Sequence, residues 1–336
     1  ESAVEKIVVI GAGSWGTALG LLLANKGNEV IMWEHDSKKA EALQQERENK
    51  RLLPGVKFPE NLKVTSETEN LFKDVNYVIF SVPSQVLRQV ISKFENQINK
   101  NITLINTAKG IEVSTGLTLS EVMKEEILGK YHKNIVVLSG PTHAEEVAQN
   151  LPTTIVAAGN QERAKKVQEL FNTKNFRVYV SGDIIGVEVG GAVKNCLAIG
   201  AGIADGMGFG DNAKAALITR GIAEMIRFGK SLGAKEQTFS GLTGIGDLIV
   251  TCASKHSRNR YVGEKIGNGE KIEDILAGMV MVAEGVPTVK AVHQKAEELN
   301  ISMPIVEAIY RVIYEGENPQ KMVDNLMSRE LKEEFY

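Results

Sequence analysis

Ile7-Val-Val-Ile10 runs directly into Gly11-Ala-Gly13-Ser14-Trp15-Gly16, and an apolar stretch, Thr17 to Asn25, follows before Gly27. A continuous β-branched run suits a strand buried on both faces. A second such run, Glu29–Trp33, ends in Glu34-His35-Asp36. The order strand, G-x-G-x-x-G, helix, strand, acidic tip confines the chain to a βαβ unit of a parallel sheet. In that unit Gly11 permits the tight turn, Gly13 lets backbone approach a pyrophosphate, and Gly16 brings the helix close to the strand. The first N–H groups of the helix then face the phosphates. A bare turn between strand and helix would not need all three glycines. Glu34 stands 18 positions beyond Gly16, at the tip where an acid meets the ribose hydroxyls of a dinucleotide, with His35 beside it. A dinucleotide cofactor is therefore expected on Gly11, Gly13, Gly16, Glu34 and His35.

Further apolar runs alternate with helical patterns. Asn76–Phe80 leads to Ser81-Val-Pro83-Ser84, Ile102–Ile105 to Asn106-Thr-Ala-Lys109-Gly110, and Asn134–Leu138 to Ser139-Gly140-Pro-Thr142-His-Ala144. In open α/β sheets ligands bind beyond the carboxyl ends of the strands, so these three loops point at one crevice. Lys109 is either an ordinary surface lysine or, at a strand's carboxyl end, a cation for an anion or carbonyl. Thr153–Ala158 and Phe176–Val180 supply two more strands. The expected fold class is α/β: a Rossmann-type, mostly parallel sheet over residues 1–185, then an all-helical substrate domain over 186–336.

The second half carries helical periodicity without strand patterns. Lys194 lies in a glycine-broken apolar segment, flanked by Ala192, Val193, Cys196 and Leu197. It either snorkels to water or is desolvated, and a desolvated lysine has a lowered pKa and trades protons near neutrality. Asn212–Leu232 suggests a long helix, capped by Asp211 or Asn212. Asp247, in Gly241-Leu-Thr-Gly-Ile-Gly-Asp247, is a helix cap, a buried ion-pair partner or a site residue. Ser257-Arg258-Asn259 is either an exposed basic loop or a donor cluster whose guanidinium fork suits a phosphate.

Composition closes several alternatives. At 336 residues, 43% hydrophobic and with a net charge of −3, the chain suits two globular domains and offers no electrostatic footprint for nucleic acid or anionic membrane. Cys196 and Cys252 have no metal-ligand spacing and sit among apolar or small residues, so buried free thiols are expected rather than a disulfide. Five histidines without an i, i+4 pair indicate no metal site. No apolar stretch is expected to reach the ~20 residues of a bilayer span, and no stable membrane insertion follows. The start carries no leader pattern and opens on Glu1, as a processed or trimmed chain would, so a cytoplasmic location is expected. A homodimer is left open.

Taken together, the glycine loop, Asn106-Thr-Ala-Lys109-Gly110, Ser139-Gly-Pro-Thr-His-Ala-Glu-Glu-Val147, Val193-Lys-Asn195, Gly241–Leu248, Ser257-Arg-Asn259 and Glu284-Gly285 resemble bacterial NAD(P)-dependent sn-glycerol-3-phosphate dehydrogenases across essentially the whole chain. The resemblance implies reduction of dihydroxyacetone phosphate to sn-glycerol 3-phosphate for phospholipid synthesis. It makes Lys194 the proton donor and acceptor, with Lys109 and Asp247 assisting. It assigns substrate contacts to Lys109, Gly140, Thr142, Lys194, Asn195, Asp247, Ser257, Arg258 and Asn259. Cofactor contacts fall to Ser14, Trp15, Lys109, Ala144, Arg258, Val282 and Glu284. Thr142 stands where the family often has Ser, which keeps the hydroxyl.

Both NADH and NADPH are expected as cofactors: the acid at Glu34 favours the ribose hydroxyls of NAD, while Lys38 and Lys39 lie close enough to serve a 2′-phosphate. Two other readings stay open. One is a related Rossmann-plus-helical dehydrogenase acting on a hydroxyacid such as 6-phosphogluconate. The other is a non-catalytic NAD(P)-binding sensor or scaffold, which would keep the glycine loop and dispense with the lysine.

Overall fold

A computed structural model describes residues 3–335; Glu1, at which the trimmed start was read, lies outside them. Among the described residues ten strands form, all before α-helical structure takes over at Ile184. They are β1 (Lys6–Ile10), β2 (Glu29–Trp33), β3 (Glu48–Asn49), β4 (Leu53–Lys57), β5 (Leu62–Thr65), β6 (Tyr77–Phe80), β7 (Thr103–Asn106), β8 (Ile135–Ser139), β9 (Thr153–Gly159) and β10 (Phe176–Ser181). Eight of them make one sheet in the order β10-β9-β8-β7-β6-β1-β2-β5. Every pairing in it is parallel except β8 with β9. The chain leaves β1 to one side through β2 and returns to its other side at β6. The carboxyl ends of β1 and β6 therefore flank the point where strand order reverses, the usual mouth for a ligand in such sheets.

The strand runs of the sequence are all present. The edge strand β5 and the small antiparallel ribbon β3–β4 were not expected. Apolar layers cover both faces of the sheet, one built on Ile7, Val9 and Leu19 and the other on Val8, Ile10 and Phe94. Helix α1 (Ser14–Asn25) begins three residues earlier than its apolar pattern, at the end of the glycine loop.

The second half is helical and built around α2 (Ile184–Gly206), whose residues from Gly186 to Ala204 are all buried. Around it pack α3 (Gly210–Ser231), α4 (Asp247–Ala253), α5 (Arg258–Gly267), α6 (Gly285–Glu298) and α7 (Pro304–Tyr314). Two expectations are corrected here. With 23 residues, and a mean hydropathy of 1.4 over an 18-residue stretch, α2 is long and apolar enough to cross a bilayer by composition. Its faces are covered by protein, so it serves as a core helix. And α3 starts at Gly210 with Phe209 at its N-cap, which places Asp211 and Asn212 inside the first turn instead of capping it.

Helices α2 and α5 cross with almost no space between them. A Cβ built on Gly263 would lie 1.9 Å from the Ile199 carbonyl oxygen, and one on Gly202 would lie 2.0 Å from that of Arg260. Only glycine at both positions lets the backbones meet, and this contact sets the head of α5 beside the middle of α2. A buried carboxylate caps another helix of this half: Glu224 accepts from the Ile305 and Val306 amides at 2.8 and 3.2 Å, filling donors that the start of α7 would otherwise leave unpaired.

Candidate active site

The carboxyl ends of β1, β2, β6, β7 and the β8–β9 connection, together with α2, α4, α5 and the loop before α6, enclose a crevice of about 430 Å³. A slightly larger cavity, about 490 Å³, lies under the C-terminal tail and shares no residue with it. Of the residues singled out from sequence, Gly11, Gly13, Ser14, Trp15, Glu34, His35, Lys109, Thr142, Ala144, Lys194, Asn195, Asp247, Ser257, Arg258, Asn259, Val282 and Glu284 line the crevice. Gly16 and Gly140 lie behind its wall. Gly16 abuts the Gly11 carbonyl, and Gly140 contributes its own carbonyl oxygen as an acceptor from Lys109 Nζ at 3.1 Å.

The glycine loop fits a pyrophosphate. Gly11 holds φ at +110°, and a Cβ there would press on the Ser81 carbonyl oxygen at 2.3 Å, so the loop turns only with glycine. At Gly13, by contrast, a Cβ would meet nothing within 4 Å, since the space in front of it belongs to the crevice. No side chain caps α1, which leaves its first N–H groups for a phosphate. At the tip of β2 the two acids divide their duties. Asp36 caps the following helix through the Lys38 and Lys39 amides, while Glu34 lines the crevice and pairs with His35 Nδ1 at 3.1 Å. Of the two acids, Glu34 is thus the one that faces the crevice.

The inner end is built on Asp247. This residue follows a wide π-type turn, Leu242–Gly246, against which α2 packs so tightly that a Cβ on Gly190 would sit 2.2 Å from the Thr243 carbonyl oxygen. One turn further along α2, Lys194 Nζ lies 3.1 Å from Asp247 Oδ1 and donates to Thr251 Oγ at 3.0 Å. Lys109 Nζ reaches Asp247 Oδ2 at 2.7 Å from the end of β7. Asp247 does not cap its helix; it is a buried carboxylate between two ammonium groups. Burial works against its charge, but Lys109 and Lys194 outweigh that and hold its carboxyl below the usual range. Burial lowers Lys194 to about 8, with Asp247 pulling the other way and Lys109 reinforcing the fall.

Around this core the hydrogen bonds tie the two halves together. The Asn195 amide donates to the Lys109 carbonyl oxygen and accepts from Asn259, whose own Oδ1 takes the Gly285 amide. Ser257 Oγ accepts from the Arg260 amide and so caps α5. Ser257 and Asn259 therefore spend part of their capacity inside the protein, and only their remaining O–H and N–H are left for a ligand. Arg258 projects into the crevice with Nε on the Val282 carbonyl oxygen at 3.0 Å. Glu284 accepts from the Ser84 amide and hydroxyl, and burial raises its carboxyl pKa against those bonds.

Sequence reasoning passed over Ser84, Thr251 and His256 as site residues, and read His143 only as part of a motif. Thr251 stands four residues beyond Asp247 on one helix face, a spacing that would have exposed it. Ser84 follows the strand-end Pro83, and nothing local announces its partner 200 positions away.

The models for the N-terminal and C-terminal parts of NAD-dependent glycerol-3-phosphate dehydrogenase match residues 6–165 and 183–324. A glycerol-3-phosphate dehydrogenase (NAD(P)+) of Chlorobium phaeobacteroides is 51% identical over 332 residues, 98% of this chain and 100% of its own. That of Bacillus licheniformis is 48% identical, over 97% of this chain and 95% of its own. The crystal structure of glycerol-3-phosphate dehydrogenase from Coxiella burnetii aligns with a TM-score of 0.92 at 38% identity, covering 97% of this chain and 99% of that one. This chain belongs to the NAD-dependent glycerol-3-phosphate dehydrogenases.

Proposed function

We infer that this chain catalyses the reversible, NAD(P)H-dependent reduction of dihydroxyacetone phosphate to sn-glycerol 3-phosphate, the step that feeds glycerophospholipid synthesis. The observation that carries the chemistry is the buried Lys194–Asp247–Lys109 cluster at the inner end of a crevice whose outer end is a pyrophosphate-ready glycine loop. A bound dihydronicotinamide supplies a hydride to the ketone carbon. Negative charge then grows on the carbonyl oxygen, and Lys194, as an ammonium, stabilises it and gives up a proton to form the alcohol. In the opposite direction neutral Lys194 takes the alcohol proton. Asp247 fixes the lysine in place, and Lys109 keeps that carboxylate charged and anchored. Arg258 at the head of α5, with the remaining donors of Ser257 and Asn259, holds the substrate phosphate, so that binding energy far from the ketone orients it.

Glu34 supports ribose-hydroxyl binding, and we propose that both cofactors are used, with NADH no worse than NADPH. Two free, buried thiols, Cys196 and Cys252, suit a reducing compartment and support a cytoplasmic enzyme.

The test is dihydroxyacetone phosphate-dependent oxidation of NADH and of NADPH, followed by absorbance, with 6-phosphogluconate assayed in the oxidative direction. Turnover confined to the triose phosphate pair is expected. Turnover of the hydroxyacid alone would replace the substrate, and a preference of ~100-fold or more for NADPH, about 2.7 kcal/mol, would overturn the cofactor reading.

A further inference from the structure

Lys194 must regain the proton it gives away, and its surroundings restrict how. Its side chain is 9% exposed and faces the crevice that substrate and cofactor fill. Asp247 is held ionised by two cations and has no proton to give, while burial pushes the Cys252 thiol up to about 12, so it keeps its own proton near neutrality. Thr251 donates its hydroxyl hydrogen bond to the Asp247 carbonyl oxygen, toward the core. Lys109 is tied to the other oxygen of Asp247 and to the Gly140 carbonyl oxygen. Beyond these groups, and apart from His35 at the tip of β2, the crevice wall carries two imidazoles. His143 lines the same crevice, and its Nε2 is buried without a hydrogen-bond partner, a state that a native protein seldom tolerates without a use for the atom. His256 lies with its ring centroid 5.4 Å from that of His143, tilted by 54°, and is exposed at the crevice mouth.

We propose that His143 and His256 form a two-imidazole path by which Lys194 exchanges its proton with solvent during turnover. The inference rests on Lys194 being the proton donor. In the reducing direction the Lys194 N–H bond breaks as the product O–H bond forms. The neutral amine is then reprotonated from the imidazolium of His143 across the crevice, through water admitted as product leaves, and His143 is recharged in turn from His256 and solvent. No net charge is left behind. Two acids, Glu145 and Glu146, face His143 from the helix it precedes. Lys194 and His256 face it from α2 and from the loop before α5. Helix α1, packed against that short helix, carries no ionisable side chain. Burial, reinforced by the charge of His256, lowers the pKa of His143, so the imidazole rests neutral and its imidazolium, once formed, gives up the proton readily.

The experiment compares His143→Ala and His256→Ala with the parent enzyme, Lys194 intact in each. For His143→Ala, kcat for dihydroxyacetone phosphate reduction is expected to fall ~10-fold or more, with both KM values within about twofold. The solvent deuterium isotope effect on kcat should grow, and added imidazole should restore turnover in proportion to its concentration. His256→Ala, at an exposed position that folding does not depend on, should change the same quantities less and in the same direction. A raised KM for the triose phosphate at unchanged kcat would make His143 a phosphate ligand and overturn the relay. A loss that imidazole leaves untouched in both variants would overturn it as well. These results are separable from failure of the lysine assignment, which shows itself as turnover retained when Lys194 alone is removed.

Discussion

An ammonium whose pKa is lowered to about 8 is still mostly protonated at pH 7, and a small rise in pH empties it. As the proposed proton donor and acceptor, Lys194 would work in both directions, and the sign of its pH dependence would differ between them. Reduction needs the charged form, so its kcat falls as pH rises through about 8, whereas glycerol 3-phosphate oxidation needs the neutral amine and rises through the same value. Steady-state profiles in both directions check this; limbs of the same sign would remove Lys194 from the proton transfer. Lys194→Ala is expected to lower kcat by ~10²–10⁴-fold with NADH binding, read by fluorescence, nearly unchanged, and a variant retaining more than about a tenth of the activity would refute the role. Arg258→Ala should raise KM for dihydroxyacetone phosphate by ~10–100-fold, as for a lost hydrogen bond to a charged group. Unphosphorylated dihydroxyacetone should be turned over as before, and equal losses with both ketones would take Arg258 off the phosphate. The glycine loop and Glu34 were legible from sequence because turn, helix start and acid lie within one βαβ unit. Lys109 and Asp247 were each noticed, but their ion pair spans 138 positions, and no local pattern states that two lysines share one carboxylate.

The elements place these residues by contact between backbones. Lys194 sits on α2 and Arg258 heads α5, and the two helices touch through Gly202 and Gly263. Adding one methyl at Gly263 would drive it into the Ile199 carbonyl oxygen, and the helices must part or bend; overpacking of this kind costs ~1–3 kcal/mol or more. Gly263→Ala is expected to lower the melting temperature by several degrees and kcat/KM along with it. Gly182→Ala, where a Cβ meets nothing within 4 Å, serves as the neutral control. If Gly263→Ala melts with the parent, the close crossing is not what positions the site. Helix and strand runs were readable from periodicity, since β1, β2, β6 and β8 each carry four apolar residues in a row. Strand β5, Leu62-Lys-Val-Thr65, has only two buried side chains at the sheet's edge, too short a signal to separate from a loop. The start of α3 escaped for another reason: Asp211 and Asn212 have the chemistry of a cap, but the backbone enters the helix earlier, at Gly210.

Across the whole molecule, the Lys194–Asp247–Lys109 cluster is also the bolt between the halves. Lys109 belongs to the sheet and Asp247 and Lys194 to the helices, and the Ser84–Glu284 and Ser120–Glu188 bonds join the same two bodies elsewhere. Removing Asp247 leaves two ammonium groups facing one another in a buried place, and breaking such a pair from one side costs ~3–5 kcal/mol. Asp247→Ala is therefore expected to lower stability and to split calorimetric unfolding toward two transitions, one for each half; a single transition at the parent temperature would contradict this. The division into sheet and helical parts was visible in the loss of strand patterns after Gly186, while the bonds across it were not. Helix α2 has one more consequence, which concerns how the protein is made. It leaves the ribosome before residues 207–336, the segment that supplies most of its cover. For that interval a greasy segment of bilayer length has only the sheet to lean on, and its Glu188 and Lys194 make insertion into lipid costly. A message cut short after α2 would release a sticky fragment, so residues 207–336 act as the cover under which α2 becomes presentable to water.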